Sequence, residues 1–84
     1  MNKTVKVTIF TSSKCPNCKQ TKHFMQKHKI RFVELNVQRN QRAFKEFQRL
    51  GGKGVPVTMI GDIQVDGFQP QKLEQALKKK QIMS

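Results

Sequence analysis

Two cysteines, in the order Cys15-Pro16-Asn17-Cys18, lie where a predicted strand passes into a predicted helix. Residues Thr4 to Phe10 alternate polar and apolar side chains, as a half-buried strand does, and Lys19 to Lys29 follow a helical period. The first sulfur therefore falls at a helix N-terminus, where unpaired N–H groups and the helix dipole stabilise a thiolate. The second sulfur is about one turn further on, close enough for a disulfide. The motif predicts a dithiol redox centre.

Zinc sites and inert structural pairs use the same cysteine spacing, and both alternatives stay open at this point. Zinc needs four ligands, and the other candidates are His23 and His28. On a helix these lie about 12 Å and about 20 Å along the axis from Cys15, too far to complete a tetrahedron with both sulfurs. Pro16 favours redox chemistry, because proline suits the first helical turn. We expect no metal and no cofactor.

The chain length bounds the organisation of the protein. With 84 residues, we expect residues 1–84 to form a single domain with a thin core. No stretch reaches the ~20 apolar residues of a membrane span, and the apolar segment from Val7 to Phe10 is too short for a signal peptide. We therefore expect a cytoplasmic protein, and we separately expect it to be a monomer. In that reducing compartment a lone cysteine pair is more often catalytic than structural.

The middle of the chain predicts a second strand and a second helix. The strand runs from Ile30 to Val37, and the apolar residues expected on one face are Val33, Leu35 and Val37. The helix runs from Asn40 to Leu50, and the side chains expected to face inward are Ala43, Phe44, Phe47 and Leu50. The glycines at positions 51, 52 and 54 end this helix.

The remaining residues predict a hairpin and a last helix. Val57 to Ile60 is a third strand, and a turn at Gly61-Asp62 leads to a short fourth strand, Ile63 to Val65. Pro70 opens the last helix. The order is βαβαββα, in which a right-handed crossover makes the first two strands parallel neighbours. We predict an α/β fold with a four-stranded mixed sheet flanked by helices.

Three motifs follow one another along the chain: the strand–Cys15-Pro16-Asn17-Cys18–helix unit, Gly54-Val55-Pro56-Val57 ahead of the hairpin, and Gly67-Phe68-Gln69-Pro70. In this order they resemble the glutaredoxin branch of the thioredoxin superfamily. The third is similar to the Gly-Phe-Arg-Pro stretch of NrdH-redoxins, the glutaredoxin-like donors of class Ib ribonucleotide reductase. The resemblance implies a thioredoxin-like fold and a thiol–disulfide oxidoreductase that donates electrons.

The resemblance also implies roles for individual residues. Cys15 would be the attacking thiolate and Cys18 the resolving thiol. Val55-Pro56 would be a cis peptide whose exposed Val55 backbone pairs with an extended substrate segment. The other residues expected to support the sulfurs or to contact substrate are Lys14, Pro16, Asn17, Gly67 and Phe68. Partners would be a disulfide-containing protein, such as ribonucleotide reductase, and either thioredoxin reductase or glutathione as upstream reductant.

The chain departs from both related groups at particular positions. Glutathione-using glutaredoxins usually have a Lys three residues before the first cysteine, where this chain has Ser12, and an acid in the turn after Gly67. NrdH-redoxins usually have a Trp and an Arg at two positions where this chain has Val65 and Gln69. The missing charges favour a protein-directed, NrdH-like donor. A glutathione-dependent glutaredoxin is the alternative.

The net charge is unusual for such a protein. Seventeen Lys and Arg against five acids give +12, which favours an acidic partner surface or weak adherence to nucleic acid. A basic nucleic-acid-binding module is the alternative from a different functional class. The sequence lacks the groove-reading helix or aromatic stacking pattern of a dedicated binder.

Overall fold

The computed structural model describes residues 5–82, and these residues form the predicted βαβαββα order. The strands are β1 (Val7–Thr11), β2 (Val33–Asn36), β3 (Val57–Ile60) and β4 (Ile63–Asp66). The helices are α1 (Pro16–Lys27), α2 (Gln41–Arg49) and α3 (Pro70–Lys79). Thr4, where the first predicted strand begins, lies outside the described residues. None of the described helices has the length and apolar character needed to cross a membrane.

The four strands form one mixed sheet in the order β2-β1-β3-β4, as predicted for the fold class. β1 is parallel to β2 and antiparallel to β3, and β3 and β4 form the antiparallel hairpin. Phe10, near the end of β1, pairs with Val57 at the start of β3. This register brings the loop that leads to Cys15 beside the loop that ends at Pro56.

Apolar side chains cover both faces of the sheet. On one face, Ile9 and Ile60 pack with Met25 of α1 and Leu73 of α3, and all four are fully buried. The other face carries a smaller cluster, in which α2 contributes its buried phenylalanine; its members are Phe10, Phe47 and Val57. The larger core therefore anchors α1, the helix that begins at the cysteine motif.

The second strand starts later than predicted, at Val33 instead of Ile30. Lys29 takes a positive φ of 58°, and the N–H of Ile30 donates to the carbonyl of Met25 at 2.8 Å. These residues therefore end α1, and Ile30 is buried in the core instead of pairing in the sheet. Val33 lies on the edge strand and is 42% exposed.

The prediction that Phe44 faces inward is wrong, since its side chain is 44% exposed. α2 buries Ala43 and Phe47, and Asn40 caps the helix by accepting the Ala43 N–H at 3.1 Å. Phe44 is rotated by about 100° from Ala43 around the helix axis, beyond the narrow stripe that rests on the sheet. After α2, Gly52 lies so close to the Phe47 ring that a Cβ there would be 2.4 Å from it.

A hydrogen-bonded group centred on Glu34 joins β1, β2 and α1. The Glu34 carboxylate accepts the Thr11 hydroxyl at 2.9 Å and the Lys22 ammonium at 3.1 Å. Partial burial raises the pKa of Glu34, but the hydrogen bonds from Thr11 and Lys22 and the Lys22 charge outweigh it, so the pKa lies below 4.5. The carboxylate thus holds the first two turns of α1 against the sheet.

We predict that Glu34→Gln lowers the free energy of unfolding by about 0.5–1 kcal/mol at neutral pH. The effect is small because the Glu34 side chain is 38% exposed. A lowered folded-state pKa gives stability that is present above the unfolded-state pKa and is lost as pH falls through the folded-state pKa. Urea denaturation near pH 7 and near pH 3 measures the difference in free energy of unfolding between the wild type and Glu34→Gln. This difference should be smaller at pH 3.

Glu46→Gln is the control, because it breaks the exposed Glu46–Arg49 pair within α2 and should cost no more than a few tenths of a kcal/mol. If Glu34→Gln lowers the free energy of unfolding equally at both pH values, the role given to the carboxylate is contradicted.

Candidate active site

The cysteine motif forms the first turn of α1, with its two sulfurs joined as a disulfide. The Cα atoms are 5.2 Å apart, within the usual range for a disulfide. Cys15 is the N-cap of α1 and is partly exposed, whereas Cys18 is buried, with 2% exposure. Pro16 occupies the first helical turn, as predicted, and Asn17 is exposed beside it. Solvent and partners therefore reach the Cys15 sulfur first.

The Cys15 sulfur lies in an environment that favours negative charge. The backbone N–H of Cys18 donates to it at 3.2 Å, and the first turn of α1 contains no acidic residue. The positive end of the helix dipole adds to this effect. When the disulfide is reduced, these groups stabilise a thiolate on Cys15.

A cis peptide bond joins Val55 to Pro56, as the resemblance implied. The carbonyl oxygen of Val55 lies 3.8 Å from the Cys15 sulfur. A disulfide sulfur carries no hydrogen to donate, so in this oxidised state the two atoms are close neighbours without a hydrogen bond. The Val55 N–H makes no hydrogen bond within residues 5–82. Backbone groups able to pair with an extended chain therefore lie beside the sulfurs.

The turn after β4 completes this part of the site. The N–H of Gly67 donates to the carbonyl of Pro56 at 2.8 Å, and Gly67 has a φ of 76°, a conformation that favours glycine. Phe68 is half-buried and packs against the larger core. The expected residues Val55, Pro56, Gly67 and Phe68 thus lie on connected loops.

The loop before Cys15 is held by contacts that the sequence motifs did not identify. Lys14 is exposed and takes a positive φ of 58°, uncommon for a residue other than glycine. The N–H of Ser13 donates to the side-chain oxygen of Gln38 at 3.1 Å, and the Gln38 N–H donates to Asn36 at 2.8 Å. Asn36, at the end of β2, is a turn signal in the sequence. No sequence pattern predicts that the residues of this turn contact Ser13.

The fold and this site define a class of protein. A disulfide at the start of the first helix, in a βαβαββα fold and beside a cis-proline, is the centre of a thioredoxin-fold dithiol–disulfide oxidoreductase. Within residues 5–82, no three His, Cys, Asp or Glu side chains lie together as a metal site.

Comparison with known proteins then gives the family. The glutaredoxin family profile matches residues 7–65, and the chain belongs to the glutaredoxin family. The glutaredoxin-like protein NrdH of Escherichia coli K12 is 30% identical over 69 residues, which cover 82% of this chain and 85% of that protein. NrdH of Lactococcus lactis subsp. cremoris is 28% identical over 67 residues, covering 80% of this chain and 93% of that protein.

A solved structure of NrdH-redoxin from Escherichia coli, described as having a thioredoxin-like activity profile, superposes on this chain with a TM-score of 0.77. The two are 30% identical, and the match covers 83% of this chain and 92% of the other. The likeness therefore extends over most of both chains.

We predict that the two thiols of the reduced protein differ sharply in reactivity. Iodoacetamide should modify Cys15 roughly ten times faster than Cys18, because Cys15 is exposed at the helix N-terminus and Cys18 is buried. The pH dependence of the Cys15 rate should give a thiol pKa below the ~8.5 of a free cysteine. Peptide mass spectrometry of short labelling reactions measures both rates. Faster labelling of Cys18 would contradict the assignment.

Proposed function

We propose that this oxidoreductase is an NrdH-like electron donor that reduces a disulfide in a partner protein. The observation that carries the proposal is the Val55 backbone, which is free to pair and lies 3.8 Å from the partly exposed Cys15 sulfur. An extended substrate segment can bond to Val55 as an added strand does, with its own disulfide against Cys15. This geometry suits a polypeptide substrate.

The reaction has two exchange steps. The Cys15 thiolate attacks one sulfur of the substrate disulfide, forming a mixed disulfide and releasing the other substrate sulfur, which takes a proton. Cys18, after losing its proton, then attacks the Cys15 sulfur and forms the Cys15–Cys18 disulfide. The second substrate sulfur leaves as a thiolate and takes up a proton. Two electrons pass from the dithiol to the substrate, and an upstream reductant restores the dithiol.

The neighbouring residues have supporting roles in this scheme. Pro16 and Asn17 shape the turn that presents Cys15, and Lys14 adds positive charge to the loop before it. Pro56 fixes the direction of the Val55 backbone, and the Gly67 N–H holds the Pro56 carbonyl. Phe68 then offers an apolar contact to the partner.

Thioredoxin reductase is the proposed upstream reductant, in preference to glutathione. A lysine at position 12 and an acid after Gly67 would bind the charged ends of glutathione, but this chain has Ser12 and the neutral run Phe68-Gln69-Pro70. The thioredoxin-like activity profile of the Escherichia coli NrdH-redoxin supports the same choice. Because the Gly67-Phe68-Gln69-Pro70 stretch resembles that of NrdH-redoxins, a class Ib ribonucleotide reductase is the proposed substrate.

We predict faster turnover with NADPH and thioredoxin reductase than with millimolar glutathione and glutathione reductase. Each missing charged hydrogen bond is worth roughly 1.5–3 kcal/mol, so losing two weakens glutathione binding by about two to four powers of ten if they add. Insulin reduction followed by NADPH oxidation measures both systems. Efficient turnover with glutathione alone would assign the protein to the glutathione-dependent glutaredoxins.

Ser12→Lys gives a sharper test of the same argument. It restores one of the two charges, so the glutathione-coupled rate should rise about tenfold. Ser13→Lys is the matched control, since it adds the same charge one residue closer to Cys15, and it should have a much smaller effect. Equal gains from both variants would contradict a specific glutathione contact at position 12.

A further inference from the structure

A groove of about 640 Å³ runs along α1 on the side next to Phe68. The charged and aromatic residues that line it are Lys19, Lys22, His23, Phe24, Lys27 and Phe68. We refer to it as the α1 groove. The mechanism above uses only Phe68 from this set.

The α1 groove begins one helical turn beyond Cys15. The Lys19 N–H donates to the Cys15 carbonyl at 3.2 Å, and this spacing of four residues places Lys19 on the same helix face as Cys15. Phe68 directly follows Gly67, whose N–H is bonded to the Pro56 carbonyl. From Lys19 to Lys27 the helix rises by about 12 Å. That length matches about four residues of extended polypeptide, at ~3.3 Å per residue. A chain paired with Val55 could therefore continue into the groove.

The lysines of the α1 groove differ in whether they form an ion pair. Lys22 is paired with Glu34 on β2, whereas Lys19 and Lys27 have no ion pair within residues 5–82. The groove is lined by no Asp or Glu among the described residues. Phe24 and Phe68 are half-buried and give the groove an apolar surface beside its lysines. The groove thus complements a segment that is acidic and carries an apolar side chain.

We propose that the α1 groove binds an acidic segment of the substrate protein, adjacent in sequence to the substrate disulfide. Carboxylates of this segment pair with Lys19 and Lys27, and an apolar side chain packs on Phe24 and Phe68. This inference rests on the proposed function, because it defines the substrate of the same dithiol. Two features favour a polypeptide over a nucleic acid as the occupant. The groove lies near the sulfurs, and Phe24 and Phe68 give it an apolar surface.

Two synthetic peptides test the inference. Both are closed by one disulfide and carry one leucine, and they differ only in having glutamate or glutamine at four positions flanking the cysteines. The second-order rate constant for reaction with the reduced protein is measured in a single turnover, so no reductase enters the result. The acidic peptide should react roughly tenfold faster at low salt, and added salt should reduce this preference.

Two double variants locate the effect. Lys19→Gln/Lys27→Gln removes two charges from the α1 groove, and Arg42→Gln/Lys45→Gln removes two from α2, which packs on the opposite face of the sheet. The readout is the ratio of the acidic to the neutral rate constant, which corrects for any change in intrinsic thiol reactivity. The ratio should fall at least threefold in the groove variant and stay near the wild-type value in the α2 variant. Circular dichroism confirms that both are folded.

Three results would overturn the inference while leaving the proposed function in place. The first is equal rate constants for the two peptides with the wild-type protein, and the second is an equal fall of the ratio in both double variants. The third is a single-stranded oligonucleotide that binds the wild type at physiological salt, fails to bind the groove variant and is not displaced by the acidic peptide. Failure of the reduced protein to react with either peptide would instead count against the proposed function itself.

Discussion

The hydrogen bond from the Cys18 N–H to the Cys15 sulfur is the interaction on which the site depends. It makes Cys15 the N-cap of α1, so one side chain both starts the helix and presents the exposed sulfur. The same N–H and the helix dipole favour charge on that sulfur after reduction. Because Cys18 is one turn further into the helix, it is buried and still within bonding distance.

The sheet supplies the second half of the site through its register. Pairing of Phe10 with Val57 fixes the end of β1 against the start of β3, so the loops that carry Cys15 and Pro56 meet at one edge. The core under α1 and the Glu34 group keep the helix in place on the sheet. The Cys15 sulfur, the Val55 backbone and Phe68 therefore lie on neighbouring loops.

Local sequence signals predicted the element order and the motif positions well. Alternating apolar residues predict the strands and helical periodicity predicts the helices, which together give the order βαβαββα. The predicted bounds of the third strand, Val57–Ile60, are those observed. Errors arose where tertiary contacts decide the outcome. Phe44 has the spacing of a core residue, but α2 rests on too small a cluster to cover it, and Ile30 closes α1 instead of starting β2.

The site was predicted only where a motif carried it. The disulfide partners and the Val55-Pro56 segment came from short patterns and the resemblance. The Thr11–Glu34–Lys22 group and the Ser13–Gln38 bond join residues more than ten positions apart. Such contacts depend on the sheet register, which periodicity does not determine. The α1 groove has the same origin, since Phe68 reaches α1 only through the fold.

The central claim is that Cys15 attacks and Cys18 resolves, and trapping the intermediate tests it most directly. Cys18→Ser protein incubated with a disulfide-closed peptide should accumulate a stable mixed disulfide, which mass spectrometry of proteolytic fragments should locate at Cys15. Cys15→Ser protein should trap far less, although serine can still cap α1 and keep the helix intact. A mixed disulfide that forms mainly at Cys18 of the Cys15→Ser protein would contradict the account.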